Sequence, residues 1–142
     1  MIFGQIALTL SAFFTGAAFY INFAEHPARL KLMPGPLLTQ WKPSYKRGFI
    51  MQSLLAILSG VSGFFAFYQT SNWLFIAGAI FILANWPFTL IVIMPLNKKL
   101  QAIPAETAGP GVILDLNRWG RLHAVRTGLS FSSTIFYLLA LQ

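Results

Sequence analysis

The chain has 142 residues, of which 56% are hydrophobic and only 9% charged, with a net charge of +7 and no cysteine. Soluble domains carry about 25% charged residues, so the composition sets this chain outside that class. The missing cysteine excludes disulfides and thiolate metal ligands.

Four long apolar segments, at residues 2–24, 49–68, 73–96 and 122–141, account for the deficit of charge. Each approaches the ~20 residues that an α-helix needs to cross a hydrocarbon core. They are too long and too continuously apolar for barrel strands, and helices satisfy their own backbone in lipid. The expected fold is therefore all-α: a four-helix transmembrane bundle, antiparallel and up-down, forming one integral membrane domain over residues 1–142.

The first segment has no basic n-region, and nothing like A-x-A follows it, so it reads as a helix and not as a secretory signal. Pro27 disfavours the α conformation at His26, which predicts a helix end near Glu25 or His26. In the connection that follows, Leu37, Leu38, Trp41 and Tyr45 share one helical face with lysines opposite. That pattern predicts a short amphipathic helix lying in the interface. "QTSN" at 69–72 is a tight turn between the second and third segments. Pro87 falls inside the third, where it kinks the helix and frees a carbonyl. The last connection mixes Pro and Gly with an apolar stretch at Val112–Leu116 that also reads as interfacial.

Basic residues are confined to two connections. Arg29, Lys31, Lys42, Lys46 and Arg47 lie in the first, and Lys98, Lys99, Arg118, Arg121 and Arg126 lie around the last. The positive-inside rule makes that side cytoplasmic and puts both termini on the opposite side. Topology and the anionic headgroups of the lipid bilayer thus account for all ten cations. Nucleic acid is not needed as a partner.

Helical periodicity gathers the polar residues into stripes. Asn22, Glu25, His26 and Arg29 cluster on the first helix, Gln52, Ser59 and Gly63 on the second, and Asn85 and Thr89 on the third. On the fourth, Trp119, His123, Arg126, Ser130, Ser133 and Tyr137 run along nearly the whole length. Polar groups are costly in lipid, so the stripes are expected to face the bundle interior. Ser59, Gly60, Gly63, Ser130 and Ser133 read as packing and interhelical hydrogen bonding. Asn85, near the bilayer midplane, reads equally as structure or as site.

The ionisable residues converge at one end. Glu25 and His26 close the first helix where His123 and Arg126 open the fourth. One reading pairs Glu25 with Arg126 or Arg29 and leaves two histidines at headgroup level. The other makes a cavity mouth holding a base and an anion clamp. Glu25, His26 and His123 also compose a two-His, one-carboxylate metal set. No H-x-x-x-H or E-x-x-H spacing supports it, and haem ligation by two helix-end histidines is weaker still.

Five short motifs then occur in order: "EHPAR" at 25–29, Trp41, "NWPFT" at 85–89, "MPLNKKL" at 94–100 and "WGRLHAVRTG" at 119–128. Together, over roughly residues 10–135, they resemble the small four-helix membrane family that includes the anthrone oxygenases of polyketide pathways. The resemblance implies oxygenation without an organic cofactor: a base removes a proton from an acidic methylene, and the resulting enolate reacts directly with O₂. It implies His123 or His26 as the base, because a neutral imidazole with a pKa near ~6.5 accepts a proton at cytoplasmic pH. Arg126 with the Asn85 or Asn97 amide would stabilise the anion, and Trp86 and Trp119 would wall a planar, lipophilic small molecule. Asn22 and Glu25 join this set as further substrate-binding candidates. The alternative is a non-enzymatic membrane protein: a small-molecule binder, an assembly partner, or a transport component that needs a homo-oligomer to form a path.

Overall fold

The computed structural model describes residues 1–142, which fold into four helices with no strand. We label them α1 (Ile2–Arg29), α2 (Pro34–Thr70), α3 (Trp73–Ala102) and α4 (Gly111–Ala140). α1 packs on α2 and α4, and α3 packs on α2 and α4, so the helices close a ring around a common interior. The first three are long and apolar enough to cross a membrane. The fourth is long enough at 30 residues, but His123, Arg126 and a run of hydroxyl residues leave it less apolar than the other three.

The helix ends follow from local chemistry. Pro34 opens α2 after an extended Met33, where its missing N–H costs nothing. α2 ends at Ser71, which adopts the left-handed conformation (φ 56°). Asn72 Oδ1 then accepts from the Leu74 amide (3.1 Å) and caps α3. The Asn72 amide also donates to the Ala140 carbonyl (3.2 Å), tying the turn to the end of α4.

The expected helix end at Glu25 or His26 is overturned. α1 continues through Pro27 to Arg29 by way of a π-turn at Ile21–Glu25, with the His26 amide bonded to the Ile21 carbonyl five residues back. α3 repeats the device: after a break at Ala84, a π-turn at Thr89–Ile93 is closed by the Met94 amide on the Thr89 carbonyl, immediately before Pro95. A proline in a regular helix collides with the carbonyl four residues earlier. In both helices the widened turn falls just before the proline and absorbs that conflict, as single π-turns inside α-helices do.

The amphipathic stretch 37–45 is likewise not a separate interfacial helix but the first turns of the 37-residue α2. Leu37, Leu38 and Trp41 are fully buried there against Leu96, Leu100, Leu116 and Trp119. The stretch at Val112–Leu116 belongs to α4 and closes the same cluster, leaving only a single 3₁₀ turn, Ala105–Thr107, in the last connection.

At the opposite end, hydroxyl groups tie the four helices together. Ser11 bonds Ser133 (3.1 Å) and Thr134 (3.0 Å), Ser133 donates to the Gly78 carbonyl (2.8 Å), and Ser59 donates to the Ala7 carbonyl (2.8 Å). Tyr137 donates to the Ser59 carbonyl (3.2 Å) and lies against Gly63 and Gly78, where any side chain would collide with its ring. The packing role read for Ser59, Gly63 and Ser133 is what these contacts provide. Outside the ring the surface is apolar: Phe13, Phe23, Ile91 and Leu139 are all exposed.

At Gly120, α4 lies directly against α1. A Cβ there would sit 2.6 Å from the His26 imidazole, whereas a Cβ on Gly128 meets nothing within 4 Å. Both Gly→Ala changes gain the same helix propensity, so their difference isolates the clash. Gly120→Ala is expected to be less stable than Gly128→Ala by about 1–3 kcal/mol, the usual cost of overpacking. Thermal unfolding of the two variants in detergent checks this.

Candidate active site

Two adjoining cavities lie between the cluster around Trp41 and the middle of the bundle. They share a wall formed by Phe49, Gln52 and Arg126, and both are small and partly open, each with room for about one water molecule. Ile21, Ser44, Tyr45, Trp119 and His123 line the one nearer the basic end. Asn85, Trp86, Thr89 and Phe14 line the other.

His123 is held in one tautomer. The Asn22 amide nitrogen faces the Gly120 carbonyl (3.0 Å), which can only accept, and this turns Asn22 Oδ1 toward His123 Nδ1 (3.0 Å). An amide oxygen only accepts, so Nδ1 carries the proton. Thr127 donates to the same oxygen (2.7 Å) and fixes it further. In the neutral ring the lone pair is then on Nε2, which has no hydrogen-bond partner in the protein, and His123 is 1% exposed on the cavity wall.

Arg126 is buried (8% exposed) without a counter-ion. One guanidinium nitrogen, Nη2, donates to Gln52 Oε1 (2.8 Å), and the group lies over the Phe14 ring at 5.4 Å. The only two ion pairs in the chain, Arg29–Glu25 and Lys99–Asp115, leave it out. Buried cations are normally paired, so an unpaired one on a cavity wall is a standing invitation to an anion.

Around it, polar atoms are buried with no partner. Gln52 Nε2, Trp86 Nε1 and Arg126 Nε are donors, Asn85 Oδ1 is an acceptor, and Thr89 Oγ1 can act as either. All five belong to residues lining the cavity on the α3 side. Such orphans are rare in folded proteins and call for a specific explanation.

The remaining candidates have structural partners. His26 donates Nε2–H to the Leu116 carbonyl (2.9 Å), which leaves Nδ1 buried and unpartnered, and its ring packs on Gly120. Glu25 pairs with Arg29, not with Arg126, and also accepts from Ser44 (2.6 Å) and Gln40 (3.0 Å). Asn97 accepts from the Trp119 indole (2.9 Å) and donates to the Tyr45 hydroxyl (3.1 Å), so it orients Trp119 rather than facing the cavities. Trp119 contacts both imidazoles, at ring separations of 5.2 Å to His26 and 4.9 Å to His123.

Glu25, His26 and His123 do not assemble as a metal set. The carboxylate is engaged elsewhere, and no three His, Asp or Glu side chains gather where they could hold an ion. His26 of α1 bonds the Leu116 carbonyl of α4, and His123 of α4 bonds Asn22 of α1.

Gln52, Phe49, Tyr45, Ser44 and Thr89 line the cavities although none was among the expected site residues. Gln52 and Thr89 did stand out in the polar stripes of otherwise apolar helices. The others carried no signal, because an aromatic or Ser near a helix end is ordinary.

This is an all-helical protein whose interior encloses a cavity walled by one imidazole and one unpaired guanidinium. The chain belongs to the anthrone oxygenase family, whose model matches residues 41–136. It is similar to an anthrone oxygenase of Claviceps purpurea (strain 20.1), 29% identical over 92% of this chain and 83% of that protein. It is also similar to the monooxygenase hypC of Dothistroma septosporum (strain NZE10 / CBS 128990), 28% identical over 95% of this chain and 80% of that protein. No solved structure matches the chain.

Proposed function

We propose that this protein is a membrane-embedded oxygenase that converts an anthrone-type methylene ketone to the quinone. The observation that carries the proposal is the pairing, in adjoining cavities, of a pinned His123 with a free Nε2 and of Arg126 with no counter-ion. The names of the two similar proteins support the same reaction class. The apolar outer surface supports a bilayer location, and the basic connections support a cytoplasmic site end with both termini opposite.

The chemistry needs no organic cofactor, because the substrate supplies its own electrons. His123 Nε2 takes one proton from the methylene, and the negative charge moves onto the ketone oxygen, where Arg126 donates to it. The electron-rich enolate reduces O₂, and the carbon and oxygen then join as a peroxide that recovers the proton from His123. Loss of the second C–H proton with cleavage of the O–O bond yields the new carbonyl and one water. One substrate and one O₂ therefore give one quinone and one water. Phe14, Phe49 and Trp119 supply the apolar walls that keep bulk water from quenching the enolate.

The test is turnover of anthrone in phosphatidylcholine vesicles under O₂, before and after treatment with a strong chelator. A quinone-forming rate well above the spontaneous one, with one O₂ consumed per quinone and no loss on chelation, is expected. No rate above the protein-free vesicles counts against the enzyme reading, and a rate abolished by the chelator and restored by a metal counts against this mechanism.

A further inference from the structure

α2 and α3 are joined by the tight turn at 69–72, and α2 packs closely along Trp73–Leu83 but far less along residues 85–93. The change coincides with the break at Ala84 and the π-turn at Thr89–Ile93, which divert α3. Nearer the basic end, bulky side chains bridge the two helices again: Tyr45 reaches Met94 (3.9 Å) and Asn97 (3.1 Å). What remains is a window in the side of the bundle, with Ser53 and Ala56 on one edge and Trp86 and Leu90 on the other. Arg126 lies at its floor.

The rim of this window is apolar. Leu90, a lining residue, is about half exposed, and so are Ile50, Leu54 and Ile91, the sequence neighbours of the lining residues Phe49, Ser53 and Leu90. Directly inside are three of the unpartnered polar atoms, Trp86 Nε1, Thr89 Oγ1 and Gln52 Nε2. The other cavity has a different mouth, beside Arg29, Ser44 and Gly48 at the charged end. An apolar rim leading to unsatisfied hydrogen-bonding groups suits a molecule dissolved in lipid that carries a few polar atoms. A route through the second cavity would pass the buried, ion-paired guanidinium of Arg29.

We infer that the substrate enters sideways from the bilayer, through the window between α2 and α3, and not through the charged end. Ser53 and Leu90 set its width. The inference rests on the enzymatic reading above.

A route differs from a contact in its kinetics: narrowing it slows entry and exit together and leaves the equilibrium alone. The probe is 9,10-anthraquinone dissolved in phosphatidylcholine vesicles that hold the full chain, followed by stopped-flow quenching of tryptophan fluorescence. Ser53→Phe is expected to slow association and dissociation at least tenfold with Kd unchanged. Leu90→Ala, at an exposed position that tolerates truncation, is expected to speed both. Gly48→Phe, at the charged mouth where a Cβ meets nothing within 4 Å, is expected to leave both rates within twofold. Slowing by Gly48→Phe but not by Ser53→Phe, or unchanged rates in Leu90→Ala, overturns the lateral route while leaving the enzymatic reading intact. A change in Kd through dissociation alone makes Ser53 a contact and also overturns it. If the wild-type protein binds no anthraquinone, the enzymatic reading falls and the route with it.

Discussion

His123→Ala is expected to lower kcat for anthrone oxidation by about 10²–10⁴-fold, the range typical of a positioned general base, while KM changes little. The loss falls on kcat because the ring's Nε2 acts on the reacting C–H bond and adds little to ground-state binding. His26→Ala is expected to behave in the opposite way. Its Nε2–H is spent on the Leu116 carbonyl and its ring fills the contact at Gly120, so removing it leaves a void and loses that hydrogen bond. That variant should lose roughly 1–3 kcal/mol of stability and keep kcat within a few-fold. Asn22→Leu separates positioning from chemistry. It releases Nδ1 and lets the proton settle on either nitrogen, at the cost of the hydrogen bonds that Asn22 makes with Gly120, His123 and Thr127, each worth about 0.5–1.5 kcal/mol. A loss on the order of tenfold in kcat, with a lowered melting temperature but a folded protein, is the expected result. Steady-state kinetics in vesicles and thermal unfolding of the three variants check the set. Equal kcat losses for His26→Ala and His123→Ala would remove the distinction between them.

The sequence separates what periodicity can encode from what it cannot. The stripe on α4 was legible because residues one helical turn apart share a face whatever surrounds them, and His123, Arg126, Ser130, Ser133 and Tyr137 are all buried as a result. Asn85 reads equally as structure or as site, and its amide bonds the Ile82 carbonyl (3.1 Å) while its buried oxygen has no partner in a residue that lines the cavity. Pairings across the bundle were not legible. Asn22 and His123 meet over 101 residues, and nothing in either local stretch says which polar groups of neighbouring helices will face each other. Glu25 had two arginines within reach on paper, and the choice of Arg29 follows from their sharing one face of α1. Pro27 misleads because a proline ordinarily marks a helix end, and only the three-dimensional helix shows that one wider turn lets it pass.

Arg126 yields the other large effect, and here activity and stability should move in opposite directions. Its charge is buried, its one strong partner is the neutral Gln52, and no carboxylate is paired with it. A cation in that position destabilises the protein unless something compensates, since desolvation outweighs what an amide and an aromatic face return. Arg126→Met keeps most of the apolar volume over Phe14 and removes the charge. The melting temperature of that variant is expected to stay level or rise. Turnover is expected to fall about 10²–10³-fold, because the donor that meets the developing oxyanion is gone and such groups contribute on the order of 2.7–4 kcal/mol. Arg126→Lys should recover only part of the rate, since a single ammonium cannot hold Gln52 and the substrate oxygen in the fixed geometry of a guanidinium. A purely structural arginine predicts the reverse for Met, with stability lost and any residual chemistry unaffected. Measuring both quantities on one preparation therefore decides between a retained cost and a retained support. On the proposed mechanism a retained cost has a use: the charge lacks a counter-ion within the protein until the enolate, once formed, supplies one.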